Sequence, residues 1–544
     1  MKNIEKILCA TALLAALFSC SKDNTTGSDP VVSKTEADGK ILFDDGTPAA
    51  GVVVSDGYTC TATAQDGTYS LKLNTSAAFV SYSIPANAAV ETGGTYGLPV
   101  FYKKISSASD FNFTLKKQAV ESKFRMIAIG DPQVTSSSDI ARYKNETMAD
   151  LKSYVESKGG DMPTYAITLG DIVGNKWDLY PTMFPTMNVT QTGGVPVFQT
   201  IGNHDHQFPF TGSSLEVNNL TAQRKFEGFA GPVNYSFNRG DVHFVSMDDV
   251  RHTAKASADY DGGFLDWQYE WLKQDLSYVD KTKTVILCVH IPWREAFTTD
   301  FYTTDKYPEE GFYQEILDLL GEYADCAIYA GHTHNNVNCS FDDSSNKHKD
   351  KNGKYIPEYI VGTACGAWWK GTICTDGAPN GYGVFEYEDA KLVNQIYKAT
   401  RYDEGFQMRI YRATDFPELT ANTSDGVKTY KWGLKTEEGR AMVNVWNVNE
   451  DWTFEVYENG VLQTNTIIFK QTAYRDMWAK YYFYSDLMLK STSGYPKASY
   501  HMAYYNINDK NTDDIKVVAH DGYGHTFTQS GYTTRLDRSC ASYQ

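Results

Sequence analysis

Five short apolar runs in the middle of this chain each lead into a turn that carries side chains of metal-binding type. Each run reads as a buried strand, and four of the five turns contain glycine. The side chains that follow the runs are Asp131, Gln133, Asp171, Asn203, His290, His332 and His334. In open α/β sheets, ligands bind at the carboxyl ends of the strands. The pattern therefore predicts that five strand ends bring these seven side chains to one rim.

These side chains have the chemistry of a metal centre. Asp and His are common ligands of divalent and trivalent metals, and Asn or Gln can add a neutral oxygen. Seven such residues are too many for one structural zinc, but they suit two ions that share a carboxylate. Two metals about 3.5–4 Å apart can clamp a phosphate and activate a water, so no side-chain nucleophile is required. The sequence therefore predicts a dinuclear centre.

The elements that must position these residues alternate along the chain. The strand-like runs cover residues 124–129, 165–169, 195–200, 285–289 and 327–330. Between them, residues 139–158, 265–276 and 310–323 carry apolar residues at helical spacings of three and four. Alternating strands and helices predict an α/β core.

The regions on either side of this core are rich in strand and turn signals. Residues 39–115 combine short β-type runs with Asp-Gly turns, which predicts an antiparallel sandwich. Towards the C-terminus, Asn459-Gly460 lies between two β-type runs and predicts a hairpin within a second β-sandwich, which we assign to substrate presentation or scaffolding. The predicted divisions are a signal peptide at 1–20, a flexible tether at 21–37, an N-terminal β-sandwich at 38–118, a catalytic domain at 122–399 and a C-terminal β-rich domain at 403–544.

Length, charge and cysteine content limit the function classes. With 544 residues, two to four domains are expected. The formal net charge of −17 gives nucleic acid no diffuse electrostatic attraction, so no nucleic-acid partner is expected. Beyond Cys20 there remain seven cysteines, an odd number that does not describe a closed disulfide framework. Cys365 and Cys374 either close a short loop or stay as two free thiols.

The N-terminus has the pattern of a processing signal. Lys2 and Lys6 precede an apolar segment at 7–18 that is too short to span a bilayer. The segment ends in Leu17-Phe18-Ser19-Cys20, which resembles a bacterial lipobox. That resemblance implies cleavage before Cys20, lipidation of its thiol and an extracytoplasmic protein anchored to the cell envelope, at the outer membrane or in the periplasm. The alternative is an ordinary secretory signal with an incidental cysteine.

Taken in order, the five turns resemble the motifs of the calcineurin-like metallophosphoesterases. The motifs are Asp131-Pro132-Gln133, Gly170-Asp171, Gly202-Asn203-His204-Asp205, His290 and Gly331-His332-Thr333-His334. The resemblance implies a pair of packed β-sheets flanked by helices. It assigns one metal to Asp131, Gln133, Asp171 and His334. It assigns the other to Asp171, Asn203, His290 and His332, so that Asp171 bridges the two ions.

The same resemblance implies an activity and its catalytic residues. The activity is hydrolysis of phosphodiesters or phosphomonoesters by a hydroxide that bridges two ions of Mn, Fe, Mg or Zn. His204 is expected to contact the phosphate and assist the leaving group, and Asp205 to orient His204. Gln133 stands where the family usually has His, and a neutral amide is a weaker donor. This departure predicts that activity depends on added metal, with Mn²⁺ or Mg²⁺ more effective than Zn²⁺.

Substrate identity stays open at this level. A phosphorylated small molecule, a lipid head group and a phosphorylated glycan all fit the implied chemistry. The alternative function is a surface glycan-binding lipoprotein that keeps a weakened or decayed phosphoesterase site; Gln133 favours it mildly, and the otherwise intact ligand set argues against it.

Three further features carry predictions. Residues 46–54 with Gly67-Thr68-Tyr69 resemble a transthyretin-like or carboxypeptidase-regulatory-like domain, which implies a spacer or accessory role. A Gly-rich loop after the last ligand carries Trp368 and Trp369, in a stretch similar to bacterial family members with extra N- and C-terminal β domains. The two rings either form a wall of the substrate cleft or pack at a domain interface.

Among the remaining histidines, His206 and His252 are expected in solvated loops, and His243 in a structural position on a strand.

Overall fold

The computed structural model describes residues 34–209, 214–252, 260–293, 311–338, 348–415, 419–423, 426–430, 439–469, 474–483 and 496–533. The predicted signal peptide and the predicted lipidation residue Cys20 lie outside these ranges. Among the described residues, no helix is both long enough and apolar enough to cross a membrane.

The first of two core sheets carries the first three ligand motifs. In spatial order its strands are Val197–Thr200, Thr164–Leu169, Lys123–Ile129, Gly381–Glu388 and Lys391–Ala399. The first three are parallel, Gly381–Glu388 pairs antiparallel with Lys123–Ile129, and Lys391–Ala399 pairs antiparallel with Gly381–Glu388. The parallel strands are buried along almost their whole length, as their continuous apolar runs predict.

The second core sheet carries the remaining ligand motifs. Its strands are Tyr235–Arg239, Val242–Ser246, Thr284–Cys288, Asp325–Ala330, Glu358–Ile360 and Val337–Asn338. The middle strands run parallel, and the two outermost pairings are antiparallel. A two-stranded ribbon of Val250–His252 and Tyr260–Gly262 follows this sheet's second strand.

The two core sheets face each other with helices on both outer sides. Alternate residues of the strand Lys123–Ile129 separate the layers: Met126 packs between the sheets, and Ile127 packs outward against helices. The helical segments on the first sheet are Ser137–Tyr143, Lys144–Met148 (a π-helical turn), Ala149–Ser157, Trp177–Leu179, Tyr180–Met183, Phe184–Met187 and Leu215–Ala230. Those on the second sheet are Asp266–Ser277 and Tyr313–Leu320. The predicted α/β core of two packed sheets flanked by helices is confirmed.

The N-terminal region forms two small sheets, in which the parallel pairing of Glu36–Phe43 with Phe113–Leu115 departs from the predicted antiparallel sandwich. One contains Thr68–Lys72, Glu36–Phe43 and Phe113–Leu115, the other Cys60–Ala62, Val53–Ser55, Phe79–Tyr82 and Tyr102–Lys104, with a short pair of Thr92–Gly93 and Leu98–Pro99. Its Phe101 ring lies 4.9 Å from the ring of Tyr235 and 6.3 Å from that of Phe198, one on each core sheet. The N-terminal sandwich thus closes one end of the core and shares its hydrophobic cluster.

The C-terminal region also forms two four-stranded sheets. One contains Arg409–Arg412, Arg440–Asn444, Met502–Asn506 and Ile468–Phe469, the other Val461–Leu462, Thr453–Glu458, Ile515–His520 and Thr526–Ser530. Smaller elements are the pair Leu419–Thr423 and Gly426–Tyr430, the pair Tyr474–Arg475 and Ala498–Ser499, the helix Met477–Tyr481 and the 3₁₀ turn Ala413–Asp415. The predicted hairpin at Asn459-Gly460 is present between Thr453–Glu458 and Val461–Leu462. The predicted multidomain arrangement, with β-rich regions on both sides of the core, is confirmed.

Candidate metal centre

The seven predicted ligands follow parallel strands of the two core sheets and meet where the carboxyl ends of those strands converge. Five of them have a left-handed backbone, with φ between 39° and 67°: Asp131, Gln133, Asp171, His332 and His334. A non-glycine residue seldom adopts this conformation, and it persists only where the surroundings impose it. Here the carbonyl of Asp131 accepts a hydrogen bond from Thr363 Oγ1 at 2.8 Å, and the N–H of Gln133 donates to the carbonyl of Asp171 at 2.7 Å.

Asp171 lies at the middle of the cluster. Its Oδ1 is 3.3 Å from His290 Nε2 and accepts the backbone N–H of His204 at 2.8 Å. Its Oδ2 accepts a hydrogen bond from Gln133 Nε2 at 3.2 Å. The carboxylate therefore touches residues assigned to both metals, which is the position that a bridging ligand needs.

One half of the cluster is organised by His290. Its Nδ1 donates to the carbonyl of Leu169 at 2.7 Å, which leaves Nε2 to face the centre. That Nε2 lies 2.9 Å from Asn203 Oδ1 and 3.1 Å from His332 Nδ1. Ligand atoms of Asp171, His290 and His332 all lie within 4.8 Å of one another. This spacing is compatible with one ion held by all of them.

The other half contains buried polar atoms that lack a hydrogen-bond partner. His334 Nε2 lies 3.5 Å from Asp131 Oδ1, and the backbone N–H of His332 donates to Asp131 Oδ2 at 2.9 Å. Among the described residues, Asp131 Oδ1, Gln133 Oε1 and His334 Nδ1 have no hydrogen-bond partner. Leaving a buried polar atom unsatisfied costs about 1–3 kcal/mol, so three in one place call for a ligand. A carboxylate, an amide oxygen and an imidazole fit a metal cation.

The protonation states follow from burial and from the neighbouring charges. Burial lowers the pKa of His334 to about 3 and that of His332 well below its usual range, so both imidazoles are neutral at pH 7. Burial also raises the pKa of Asp131 to about 8. Burial opposes ionisation of Asp171 as well, but the adjacent His290 and His204 outweigh it and hold the pKa of that carboxyl below its usual value. The Asp171 and Asp131 carboxylates raise the pKa of His290 to about 10 against the effect of burial.

His204 is the predicted catalytic residue that faces the open cleft. Its side chain is 35% exposed, and its Nε2 lies 4.0 Å from Asp171 Oδ2. The cleft beside it has a volume of about 140 Å³ and is also lined by Gln133, His332 and His334. A ligand in the cleft would thus touch the imidazole and the metal side of the site together.

The prediction that Asp205 orients His204 is wrong. Asp205 is fully buried, and its two oxygens accept hydrogen bonds from the N–H groups of Gly202, Ile172 and Val173 and from the hydroxyl of Tyr180. The three N–H donors belong to the loops that carry Asp171 and Asn203. Asp205 therefore fixes the loop backbone, because both of its carboxylate oxygens are engaged by these four donors.

Trp368 and Trp369 have different environments, although the sequence predicts the same two alternatives for both. Trp368 is 37% exposed, lines the cleft and lies with its ring centroid 5.1 Å from that of His334. Trp369 is 6% exposed and donates its Nε1–H to the carbonyl of Pro132 at 2.8 Å, while Arg142 packs on its ring. Substrate contact by Trp369 is therefore not supported, since its ring is committed to holding the first ligand loop.

Two histidines expected in solvent are buried. His206 Nε2 lies 3.0 Å from Asp248 Oδ2, and His206 Nδ1 lies 2.9 Å from His252 Nε2. Both rings are almost fully buried, because the ribbon that carries His252 folds back over the motif loop. The structural role predicted for His243 is confirmed by its contacts with Asn238 and Asp275.

Cys365 and Cys374 are free thiols, which selects the second of the two alternatives left open by the sequence. Both are buried, and burial raises the pKa of each thiol. Their sulfur atoms contact the hydroxyl and the carbonyl of Thr363, so they contribute to packing within the loop that all three residues share.

Sequence reasoning missed two residues near the centre. Asp249 is buried and accepts the backbone N–H groups of His290 and Ile291 at 3.1 Å each. Its signal was available, since Asp248-Asp249 follows the strand Val242–Ser246 as the other motifs follow theirs. Lys497 lines the cleft from the C-terminal region, and no motif in its neighbourhood marks it.

Comparisons with known protein families match the part of the chain that contains the predicted metal ligands. Three family descriptions match successive parts of the chain: "N terminal of Calcineurin-like phosphoesterase" over residues 35–118, "Calcineurin-like phosphoesterase" over 124–336 and "C terminal of Calcineurin-like phosphoesterase" over 358–527. The central match contains all seven predicted ligand positions, with His334 close to its end.

Individual relatives are similar over shorter stretches. Purple acid phosphatase 23 of Arabidopsis thaliana is 29% identical over 170 residues, which is 29% of this chain and 32% of the relative. Purple acid phosphatase 15 of the same plant is 28% identical over 170 residues, covering 29% and 27%. The matched segment thus spans about a third of these relatives or less. A solved structure, purple acid phosphatase PPD1 from yellow lupin (Lupinus luteus) seeds, has a TM-score of 0.35 at 15% identity and covers 65% of this chain and 64% of its own.

Proposed function

We propose that this chain, whose successive parts match the N-terminal, core and C-terminal models of the calcineurin-like phosphoesterases, hydrolyses phosphoester bonds at a dinuclear centre built from the seven side chains described above. One ion takes Asp131, Gln133, Asp171 and His334. The other takes Asp171, Asn203, His290 and His332. The observation that carries the proposal is the convergence of both sets on the Asp171 carboxylate.

Some of these residues would hold the ions, and others would contact the substrate. Two bound cations supply positive charge to the phosphoryl oxygens and activate a water. Asp171 keeps the two sets together, and His290 is locked in its ligating tautomer by the Leu169 carbonyl. His204 faces the cleft, where its imidazole can bond a phosphoryl oxygen and pass a proton to the leaving group.

Gln133 supports an operating site over the alternative of a decayed one. Its amide N–H donates a hydrogen bond to Asp171 Oδ2. The amide oxygen is therefore the end of the side chain that has no hydrogen-bond partner among the described residues. An amide oriented in this way offers an oxygen to a cation. The amide is still a weaker donor than imidazole, so the first ion exchanges more readily than the second.

The test is hydrolysis of aryl phosphomonoesters and phosphodiesters after removal of metal and reloading with Mn²⁺, Mg²⁺, Fe²⁺ or Zn²⁺. We expect activity to return best with Mn²⁺ or Mg²⁺, and His204→Ala to lower kcat by about 100-fold or more. His520→Ala, which removes a half-exposed histidine on a C-terminal strand, is the matched control. Full activity in protein shown by elemental analysis to hold no metal would contradict the proposal.

The natural substrate is proposed only as a class: a phosphorylated small molecule, lipid or glycan. We also propose that the protein acts outside the cytoplasm while anchored by lipid on Cys20, which is supported by Lys2, Lys6, the apolar segment 7–18 and the Leu17–Cys20 motif. We further propose that the N-terminal sandwich is a transthyretin-like domain, which residues 46–54 and Gly67-Thr68-Tyr69 support, and that the domains divide at the boundaries inferred from the sequence.

A further inference from the structure

Lys497 brings a positive charge from the C-terminal region to the metal cleft. Its side chain lines the same cavity as His204, Trp368 and His334. Among the described residues that line this cavity, it is the single lysine or arginine. An ammonium group has no lone pair to offer and repels a metal cation, so Lys497 is not one of the metal ligands.

The position of Lys497 is fixed through the loop that contacts the last ligand motif. Its backbone N–H donates to the carbonyl of Thr375 at 2.6 Å, and its Nζ lies 3.5 Å from the carbonyl of Thr333. Thr375 in turn donates both its backbone N–H and its hydroxyl to the carbonyl of His334, at 3.0 and 2.9 Å. The ammonium group is thus tied to the loop that carries His332 and His334.

The residues that directly follow Lys497 hold this segment in place. The strand Ala498–Ser499 begins at the next residue and pairs with Tyr474–Arg475. Two residues further on, His501 is buried and places Nε2 3.0 Å from Asp376 Oδ2 and Nδ1 2.7 Å from Asn444 Oδ1. These contacts fix the backbone next to Lys497. A charge with a defined position requires such contacts, and a lysine on a solvated surface lacks them.

Lys497 also lies close to the metal ligands, because its Nζ approaches the carbonyl of Thr333, the residue between His332 and His334. A phosphoryl group bound in the cleft would therefore meet the ammonium group and the metal side of the site together.

We propose that Lys497 is a substrate-positioning residue that makes the cleft favour phosphomonoesters over phosphodiesters. A monoester carries a charge of about −1.5 to −2 at pH 7 and three free oxygens, whereas a diester carries −1 and two. An additional fixed cation attracts the more highly charged ester more strongly, and lysine binds phosphate as a point charge. The proposal rests on the phosphoesterase function proposed above and names the substrate class for it.

The experiment compares wild-type protein with Lys497→Met, Lys497→Gln and Lys497→Arg, all loaded with the same metal. For the two neutral variants, KM for 4-nitrophenyl phosphate should rise about tenfold, while KM for bis(4-nitrophenyl) phosphate rises less than about threefold. Lys497→Arg should restore most of the monoester KM. Lys516→Met is the matched control, because it removes a half-buried lysine from the same region at a place outside the cleft.

A binding measurement keeps this inference separate from the activity. Calorimetric titration of the metal-loaded protein at pH 8 should show that Lys497→Met weakens inorganic phosphate about tenfold and dimethyl phosphate much less. Equal effects on both anions, or no effect on either, would overturn the role of Lys497 even if the wild type is active. A wild type that hydrolyses neither ester in any metal form would instead contradict the phosphoesterase proposal. Equal metal content and equal melting temperature in all variants establish that the site is otherwise intact.

Discussion

At the scale of single residues, the centre depends most on Asp171. Its two oxygens contact His290, Gln133 and the N–H of His204, so it joins the two halves of the cluster. Asp171→Asn removes the charge and keeps the shape. We expect the metal content to fall and the rate of hydrolysis to drop by more than about 100-fold, beyond the loss typical of residues that only orient ligands.

Elemental analysis and initial rates at saturating Mn²⁺ test this expectation. Asp241→Asn is the control, because Asp241 is an exposed carboxylate paired with Lys283. A variant at position 171 that keeps two metals per chain would show that the bridging assignment is wrong.

The protonation of the centre leads to a pH dependence of metal binding. Without metal, the pKa of His290 is raised to about 10 by the adjacent carboxylates, and that of Asp131 is raised to about 8 by burial. At pH 7 both groups hold protons, and a cation must displace protons to bind. Metal affinity is therefore expected to increase as the pH rises from about 6 to 8.

Calorimetry in buffers of different ionisation enthalpy measures the released protons directly. We expect at least one proton per chain to appear in the buffer at pH 7 and fewer at pH 9. Heats that do not depend on the buffer would contradict these protonation states.

At the scale of elements, the loop at 361–380 closes one side of the centre. Its Trp369 holds the Pro132 carbonyl, and its Trp368 lines the cleft beside His334. Replacing each ring by Ala should therefore have opposite consequences. Trp369→Ala should lower the free energy of unfolding by about 3–5 kcal/mol. Trp368→Ala should leave it within about 0.5 kcal/mol and raise KM for an aryl phosphate about three- to tenfold, with kcat largely kept.

Urea unfolding and steady-state kinetics on the same two variants separate these effects. Each variant serves as the control of the other, since the residues are adjacent and chemically identical. A stable Trp369→Ala with an altered KM would reverse the roles of the two rings.

The elements also show what the sequence can and cannot predict. The five strands that lead into the ligand turns were predictable because buried parallel strands are continuous apolar runs, and the polar residues directly after them reach the sheet edge through the strand geometry alone. Other roles were not predictable, because they depend on the direction in which a loop folds back. Examples are the roles of Asp205, Trp369 and His206. Asp205 meets donors from loops distant in sequence, and no periodicity encodes that meeting.

At the scale of the whole molecule, the flanking sandwiches are joined to the core by buried contacts. The N-terminal Phe101 packs against rings of both core sheets, and Ser55 accepts the indole N–H of Trp271 at 2.9 Å. On the other side, Asn336 donates to the carbonyl of Trp446. Interfaces of this kind favour fixed domains. Of the spacer and accessory roles that its sequence implies, these contacts favour the accessory role for the N-terminal sandwich.

Anchoring of the whole protein is tested at Cys20. In a bacterial host that processes lipoproteins, we expect the wild type to incorporate labelled palmitate and to sediment with membranes. Cys20→Ala should lose both properties and keep the phosphoesterase activity, because the described core does not include this residue. Export without labelled lipid and without membrane association would argue for the alternative of an ordinary secretory signal.

The strand Lys123–Ile129, which leads into the first metal ligands, has Gly381–Glu388 as one of its two neighbours in the sheet. During synthesis on the ribosome, the strand that leads into the first ligand loop is therefore made long before its neighbour Gly381–Glu388. One edge of that strand stays unpaired while the intervening chain is made. Until then an apolar strand edge is open to unwanted pairing. The sheet that positions the first ligands is therefore complete only after the late segments have been made, and its open edge needs shielding until then.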